Sequence, residues 1–89
     1  MEHSKDVTIL NKYGLHARPA AEFVKLANRF ASQVWLSKDD MEVSGKSIMG
    51  VMMLAAECGS VVRIRASGED SGEAVQALCD LITGRFGEE

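Results

Sequence analysis

Apolar and polar residues alternate with two different periods along this chain. Residues 5–10, 33–38 and 61–67 alternate at every second position, which predicts strands with one buried face. A shorter alternation over 42–44, after the turn signal Asp39-Asp40, predicts a return strand. Over 17–30 and 71–83, apolar residues recur at three- and four-residue steps, as on amphipathic helices. A short apolar segment from Ile48 to about Leu54 predicts one more helix.

Local signals mark the ends of these elements. Ser47 is a good N-cap for the short helix. Asp70 and Glu73 have the spacing of a capping pair at the start of the last helix, and Gly84 ends that helix. In the strands, Val34 and Leu36 should face inward and Trp35 outward.

The resulting order is β-α-β-β-α-β-α. A chain of 89 residues with no linker or repeat should form one domain, residues 1–89. Alternating strands imply a sheet with one face in water, so the helices should cover the other face. The sequence therefore predicts a two-layer, open-faced α/β (α+β) sandwich.

Composition excludes several classes of function. A net charge of −3 argues against a nucleic-acid partner. No apolar run approaches the ~18 residues of a membrane span, and residues 1–6 are polar and lack a secretory core. We therefore expect no membrane insertion and a cytoplasmic location.

Neither a metal nor a nucleotide cofactor is expected. Cys58 and Cys79 should be reduced, Cys79 in the core, and no pair of Cys and His residues has the spacing of metal ligands. Residues 45–47, Gly-Lys-Ser, resemble part of a P-loop. That motif needs a glycine where Asp40 stands, so we reject it.

Candidate chemistry is concentrated in residues 14–21, Gly-Leu-His-Ala-Arg-Pro-Ala-Ala. Pro19 is tolerated only in the first turn of a helix, and with His16 as the N-cap it would be the third helical residue. The amides of Ala17 and Arg18 then lack intrahelical acceptors and can bind an anion. Arg18 adds a forked donor suited to phosphate oxygens. A neutral imidazole beside such donors can carry a phosphoryl group.

Residues 11–20, Asn-Lys-Tyr-Gly-Leu-His-Ala-Arg-Pro-Ala, resemble the active-site signature of the HPr family of histidine phosphocarriers. Residues 45–52, Gly-Lys-Ser-Ile-Met-Gly-Val-Met, resemble a second segment of that family. The resemblance implies an antiparallel sheet in the order 1-4-2-3. It also implies phosphorylation of His16 at Nδ1 in the bacterial phosphoenolpyruvate-dependent phosphotransferase system.

By the same resemblance, the chain is a carrier and not an enzyme with turnover of its own. Enzyme I would load it from phosphoenolpyruvate, and an enzyme IIA domain would unload it for sugar uptake. We expect a monomer that needs no cofactor. The related carrier of the nitrogen-related phosphotransferase branch is an open alternative.

Ser47 has two interpretations. A simple N-cap accounts for it without further function. In some relatives the matching serine is phosphorylated by an ATP-dependent kinase, so a kinase/phosphorylase acting on Ser47 is the second possibility.

The short helix is apolar on nearly all sides. Val51 and Leu54 suit the core, whereas Ile48, Met49 and Met52 form a stripe that should stay exposed. Methionine adapts to several partners. We expect partner binding at Leu15, Ile48, Met49 and Met52.

A different class of function is a small acylphosphatase-like enzyme, which is also a compact α/β sandwich. That interpretation uses an arginine in a strand-to-helix loop but leaves His16 without a role. It predicts turnover of acyl phosphates.

Overall fold

The computed structural model describes residues 1–87, and its elements confirm the predicted order. They are β1 Glu2–Thr8, α1 Ala17–Ala27, β2 Gln33–Lys38, β3 Met41–Ser44, α2 Ile48–Met53, β4 Val61–Ser67 and α3 Ser71–Thr83. A short 3-10 turn, Arg85–Gly87, follows α3 and buries Phe86. Glu88 and Glu89, the last residues of the expected domain 1–89, lie outside the described part of the chain.

The strands form one antiparallel sheet in the order β1-β4-β2-β3. This is the order that the resemblance implied. Val62 in β4 lies opposite Val7 of β1, and Ile64 lies opposite Leu36 of β2. The register therefore gathers the inward residues of these strands on one face of the sheet.

The core lies between that face and the helices, as expected for an open-faced sandwich. Phe23 of α1 and Leu78 of α3 are fully buried. The other buried apolar residues include, from the strands, Val7, Val34, Leu36, Val62, Ile64 and Ala66, and, from the helices, Ala20, Val24, Ala27, Val51, Ala74, Val75 and Ile82. The outer face of the sheet carries charged residues together with Trp35 and the exposed Val61.

Arginines on the outer sheet face pair with neighbouring carboxylates. Arg63 Nε lies 2.8 Å from Asp6, and Arg65 reaches Glu2 at 3.2 Å and Glu42 at 3.0 Å. The Arg65 guanidinium also lies 3.9 Å above the ring of Trp35, which points outward as predicted. Exposed ion pairs of this kind contribute little stability. These arginines therefore link neighbouring strands on the face of the sheet that is opposite the helices.

The first strand and the first helix differ from prediction at their ends. β1 begins at Glu2 because its polar first residues pair with the backbone of β4, which hydrophobic alternation cannot reveal. Ile9 is buried beyond the strand and is bonded to Gly59 and Ser60. α1 ends at Ala27, and Phe30 packs half-buried from the turn that follows.

The cysteines lie where the sequence indicated. Cys79 is buried in α3, and burial raises the pKa of its thiol, which disfavours the reactive thiolate. Cys58 is exposed in the turn before Gly59, and both thiols are free.

The predicted capping pair Asp70–Glu73 is wrong. Asp70 is the N-cap residue of α3, but its side chain makes no capping hydrogen bond. Its carboxylate instead accepts hydrogen bonds from the amides of Ala31 and Ser32, each at 2.9 Å, and from the Ser32 hydroxyl. Asp70 therefore ties the loop before β2 to the start of α3, a contact between distant segments that local spacing cannot predict.

This contact makes the stability of the fold depend on pH. The Ser32 hydroxyl, followed by the Ala31 and Ser32 amides, lowers the pKa of Asp70 to about 2. A lowered folded-state pKa contributes stability that is complete above about pH 4 and is lost as the pH falls towards 2. We expect Asp70→Asn to be less stable than the parent above pH 4 and the difference to narrow between pH 4 and 2. Denaturant unfolding at several pH values measures this, with the exposed neighbour Glu69→Gln as control. A difference that does not change with pH would contradict this role.

Candidate functional site

A tight turn precedes the candidate site. The Gly14 amide donates to the Asn11 carbonyl at 3.1 Å, so Lys12 and Tyr13 are the central residues of the turn. Asn11 is fully buried, and its Nδ2 donates to the Gly14 carbonyl at 2.6 Å. Asn11 thus holds the turn closed. Sequence reasoning missed this role, although Asn before a Gly-containing turn is the available signal.

Gly14 is required by both its backbone angle and its surroundings. Its φ is +66°, in the left-handed region that favours glycine. A Cβ here would lie 2.2 Å from the Ala56 carbonyl oxygen and 2.8 Å from Glu57 Cα. The backbone freedom predicted for Gly14 is confirmed, and the close approach of the segment after α2 adds a second constraint.

Leu15 binds the turn to the segment that follows α2. Its amide donates to the Ala56 carbonyl at 2.8 Å, and its side chain is only 4% exposed. Leu15 therefore belongs to the core of the folded chain, and the expected contact of Leu15 with partners stays a prediction. Ala55, just before Ala56, has a φ of +49°, so the chain leaves α2 through a left-handed residue.

His16 is the N-cap of α1, as Pro19 predicted. Its backbone is extended, with φ −75° and ψ −175°, and its carbonyl accepts the first helical bond from Ala20 at 3.0 Å. Pro19 is the third helical residue and is buried. The imidazole is half-buried at the surface end of the helix.

Two exposed residues begin α1 directly after His16. Ala17 and Arg18 are the first two residues of the helix, where amides have no intrahelical acceptor, and both are exposed. The positive end of the helix favours an anion at this point. An anion attached to His16 would lie at this helix end, two residues before the exposed Arg18.

Ser47 caps α2 as predicted. Its hydroxyl accepts a hydrogen bond from the Gly50 amide at 3.1 Å, and its carbonyl accepts one from Val51. The preceding Lys46 extends its ammonium to the Phe30 carbonyl at 2.7 Å. The start of α2 is thereby anchored to the turn that follows α1.

The exposed side of α2 is apolar. Met49 is 71% exposed and Met53 63%, while Val51 is fully buried. We call Ile48, Met49, Met52 and Met53 the methionine surface, because all of them are exposed. The three residues of the stripe predicted from the sequence, Ile48, Met49 and Met52, are all exposed, as expected. Met53 was missed, because a helix without polar residues gives no sequence signal for the edge of its exposed face.

The site and the methionine surface are linked through the backbone. α1 packs against α2. The segment that leaves α2 binds the turn before His16 through the bond from Leu15 to Ala56. The structure thus packs α1, which begins directly after His16, against α2.

Residues 1–87 offer neither a cluster of metal ligands nor a membrane-spanning helix. Within that range, no His, Cys, Asp and Glu side chains cluster in a group of three or more that could hold a metal ion. Over the same residues, every helix is too short or too polar to cross a bilayer.

Known proteins resemble this chain in sequence and in structure. Residues 3–84 match the family described as the PTS HPr component phosphorylation site. A phosphocarrier protein HPr of Cupriavidus necator is 54% identical over 84 residues, 94% of each chain. The HPr-C-His structure from Thermoanaerobacter tengcongensis has a TM-score of 0.94 and 52% identity, covering 98% of both chains. An HPr dimer from the same organism has a TM-score of 0.78 and 53% identity, covering 94% of this chain and 99% of that one.

The fold, the helix-capping histidine and these matches define a phosphocarrier of the phosphotransferase system. The chain belongs to the HPr family, since the family match spans nearly all of it. The resemblance noted in the sequence is confirmed.

Proposed function

We propose that His16 is the residue that carries the phosphoryl group. The observation that supports this most directly is its position as N-cap of α1, beside the exposed Arg18 and the first-turn amides. Phosphoryl transfer depends mainly on positioning and charge stabilisation. The Ala17 and Arg18 amides and the Arg18 guanidinium supply both for a phosphoryl group on the imidazole.

The transfer is a displacement at phosphorus. A lone pair of the neutral His16 imidazole forms an N–P bond as the bond between phosphorus and its donor on phospho-enzyme I breaks, and the donor keeps that electron pair. The same step in reverse passes the group to enzyme IIA. Phosphoenolpyruvate is the ultimate source, and sugar uptake is the process served, as the HPr name of the relatives supports.

As a carrier, the whole domain, residues 1–89, would act in the cytoplasm without turnover of its own. The test is transfer of radiolabelled phosphate from phosphoenolpyruvate through enzyme I to the chain, followed by addition of enzyme IIA. We expect one label per chain, held until the acceptor arrives. Steady hydrolysis of an acyl phosphate by the chain alone would instead support the acylphosphatase-like alternative.

Partners are proposed to dock on the methionine surface next to the site. Met49 is its most exposed member, so Met49→Glu puts a charge into an apolar contact while leaving the core alone. We expect a higher KM in transfer from enzyme I and to enzyme IIA, with a free energy of unfolding within about 0.5 kcal/mol of the parent.

The matched control is Met41→Glu, since Met41 is also an exposed methionine, 44% accessible, but lies on β3. It should leave both transfer reactions unchanged. Equal effects of the two substitutions would mean that net charge, and not the methionine surface, determines docking.

We also propose that phosphorylation of Ser47 by a kinase/phosphorylase regulates docking. The hydroxyl lies at the N-terminus of α2, where an added charge of roughly −1.5 to −2 is tolerated by the helix. The charge would stand beside Ile48 and Met49, which a partner has to strip of water. The fold should survive while partner binding weakens.

Ser47→Ala and Ser47→Asp separate the cap from the switch. Ser47→Ala loses the hydrogen bond from Gly50 and should cost about 0.5–2 kcal/mol of stability, with near-normal loading by enzyme I. Ser47→Asp should stay folded and accept phosphate from enzyme I much more slowly. Denaturant unfolding and initial loading rates measure both. Equal loading rates for the two variants would leave Ser47 as a cap alone.

A monomer fits this proposal best, because His16 and the methionine surface both need to reach larger partners. The dimer among the solved relatives makes the point worth testing. Light scattering coupled to size-exclusion chromatography should give the mass of one chain. A dimer that persists at all concentrations would refute the proposal.

A further inference from the structure

An aromatic side chain stands against the candidate phosphorylation site. The ring centroid of Tyr13 lies 6.1 Å from that of His16, and the two ring planes are 87° apart. This is the T-shaped arrangement that aromatic rings favour at separations of about 4.5–7 Å. Lys12, the preceding residue, places its ammonium 5.2 Å from the Tyr13 ring centroid, within the range of a cation–π contact.

Core packing does not account for the position of Tyr13, whose side chain is 71% exposed. Its backbone, in contrast, is tightly held. Tyr13 is a central residue of the turn that Asn11 closes and that Gly14 and Leu15 fix against Ala56. A rigid support thus presents an exposed ring to one particular neighbour.

We propose that Tyr13 is a positioning residue for phosphoryl transfer at His16 and that Lys12 steadies its ring. This proposal rests on the proposed role of His16. The χ2 rotation of histidine is broad, and the nitrogen lone pair that attacks phosphorus lies in the plane of the ring. Turning the imidazole therefore misdirects the lone pair. A perpendicular ring at its side disfavours such rotation, and reaction rates are sensitive to small misplacements of this kind.

The aromatic ring, and not the hydroxyl, is the part of Tyr13 that acts. Tyr13→Phe should therefore match the parent chain, whereas Tyr13→Leu keeps an apolar side chain but removes the ring. For Tyr13→Leu we expect transfer to slow by about 2- to 10-fold, the range that an aromatic pair corresponds to. The fall should be in kcat, with the KM for enzyme I unchanged.

A small donor separates positioning from docking. Phosphoramidate can phosphorylate an imidazole without any protein contact, so a positioning effect should appear with this donor as well. Lys12→Gln should slow both reactions less than Tyr13→Leu does. Lys5→Gln, which removes the same charge from the exposed part of β1, should slow neither.

The outcomes are distinct. Unchanged rates for Tyr13→Leu with both donors would overturn the proposal. A defect limited to the KM for enzyme I would also overturn it, because Tyr13 would then be a docking residue. Labelling that persists in His16→Ala would instead remove the proposed function on which this inference rests. Matching unfolding curves for the Tyr13 variants ensure that the rates refer to folded protein.

Discussion

His16→Ala should fold like the parent protein and accept no phosphate from enzyme I. The side chain is half-buried at a helix end, outside the apolar core, so its removal should lower the free energy of unfolding by less than about 1 kcal/mol. Without an imidazole at the N-cap of α1 there is no nucleophile. Intact-mass measurement after incubation with enzyme I and phosphoenolpyruvate should find only the unmodified mass.

Two further variants serve as a control and as a test of charge stabilisation at the site. His3→Ala removes the chain's other histidine, on β1, and should load normally. Arg18→Ala keeps the nucleophile but removes a cation from the phosphoryl group, and we expect loading to slow on the order of 10-fold or more. Acid-labile labelling of His16→Ala would place the phosphoryl group elsewhere and contradict the assignment.

Gly14→Ala should damage both stability and transfer. The left-handed backbone costs a residue with a side chain about 1–2 kcal/mol. The added methyl group also meets the Ala56 carbonyl at 2.2 Å, and overpacking of this kind costs about 1–3 kcal/mol more. To relieve the contact, the turn must move away from Ala56 and take His16 with it. We therefore expect a loss of at least about 2 kcal/mol and slower loading of the molecules that remain folded.

Gly59→Ala is the matched control for that substitution. Gly59 also has a positive φ, +93°, but a Cβ there would have no atom within 4 Å. Gly59→Ala should lose only the stability that the left-handed backbone costs, because its methyl group meets no other atom. It should accept phosphate from enzyme I at the rate of the parent protein. Identical stability and loading in the two variants would mean that the packing of Gly14 on Ala56 does not hold the site.

The sequence predicted the elements well where its hydrophobic period was regular. β4 and β2 alternate cleanly, and their predicted ranges match the structure. Failures came where pairing or tertiary contact overrides local pattern. The polar start of β1 is a strand only because β4 lies beside it, and Asp70 serves a loop 38 residues away in place of its own helix.

In the candidate site too, features set by local sequence were predicted, whereas features set by tertiary contacts were not. Pro19 must lie in the first turn of a helix, so local stereochemistry placed the start of α1 close to His16. Leu15 was expected to bind partners, and its burial, which depends on the segment after α2, was not predicted. The contact of Tyr13 with His16 exists only once the turn has folded, so it could not be predicted from spacing.

The backbone contact between Leu15 and Ala56 suggests how docking and chemistry are related in this fold. The methionine surface, the Ser47 cap and the His16 turn are all supported by α2 or by the segment that leaves it. If partners dock on α2 as proposed, they meet a site whose backbone is already held by that segment. For a carrier that must serve both a donor and an acceptor, a preformed site avoids a separate ordering cost with each partner.

The central claim is that this chain carries one phosphoryl group on His16. It is tested most directly by incubating the chain with enzyme I and phosphoenolpyruvate, measuring the intact mass, and locating the modified residue by peptide fragmentation. We predict a gain of one phosphate on His16 that is lost in acid and retained in base, because protonation makes a phosphorylated imidazole a good leaving group. A mass that does not change, or a phosphate that survives acid on a hydroxyl residue, would contradict it.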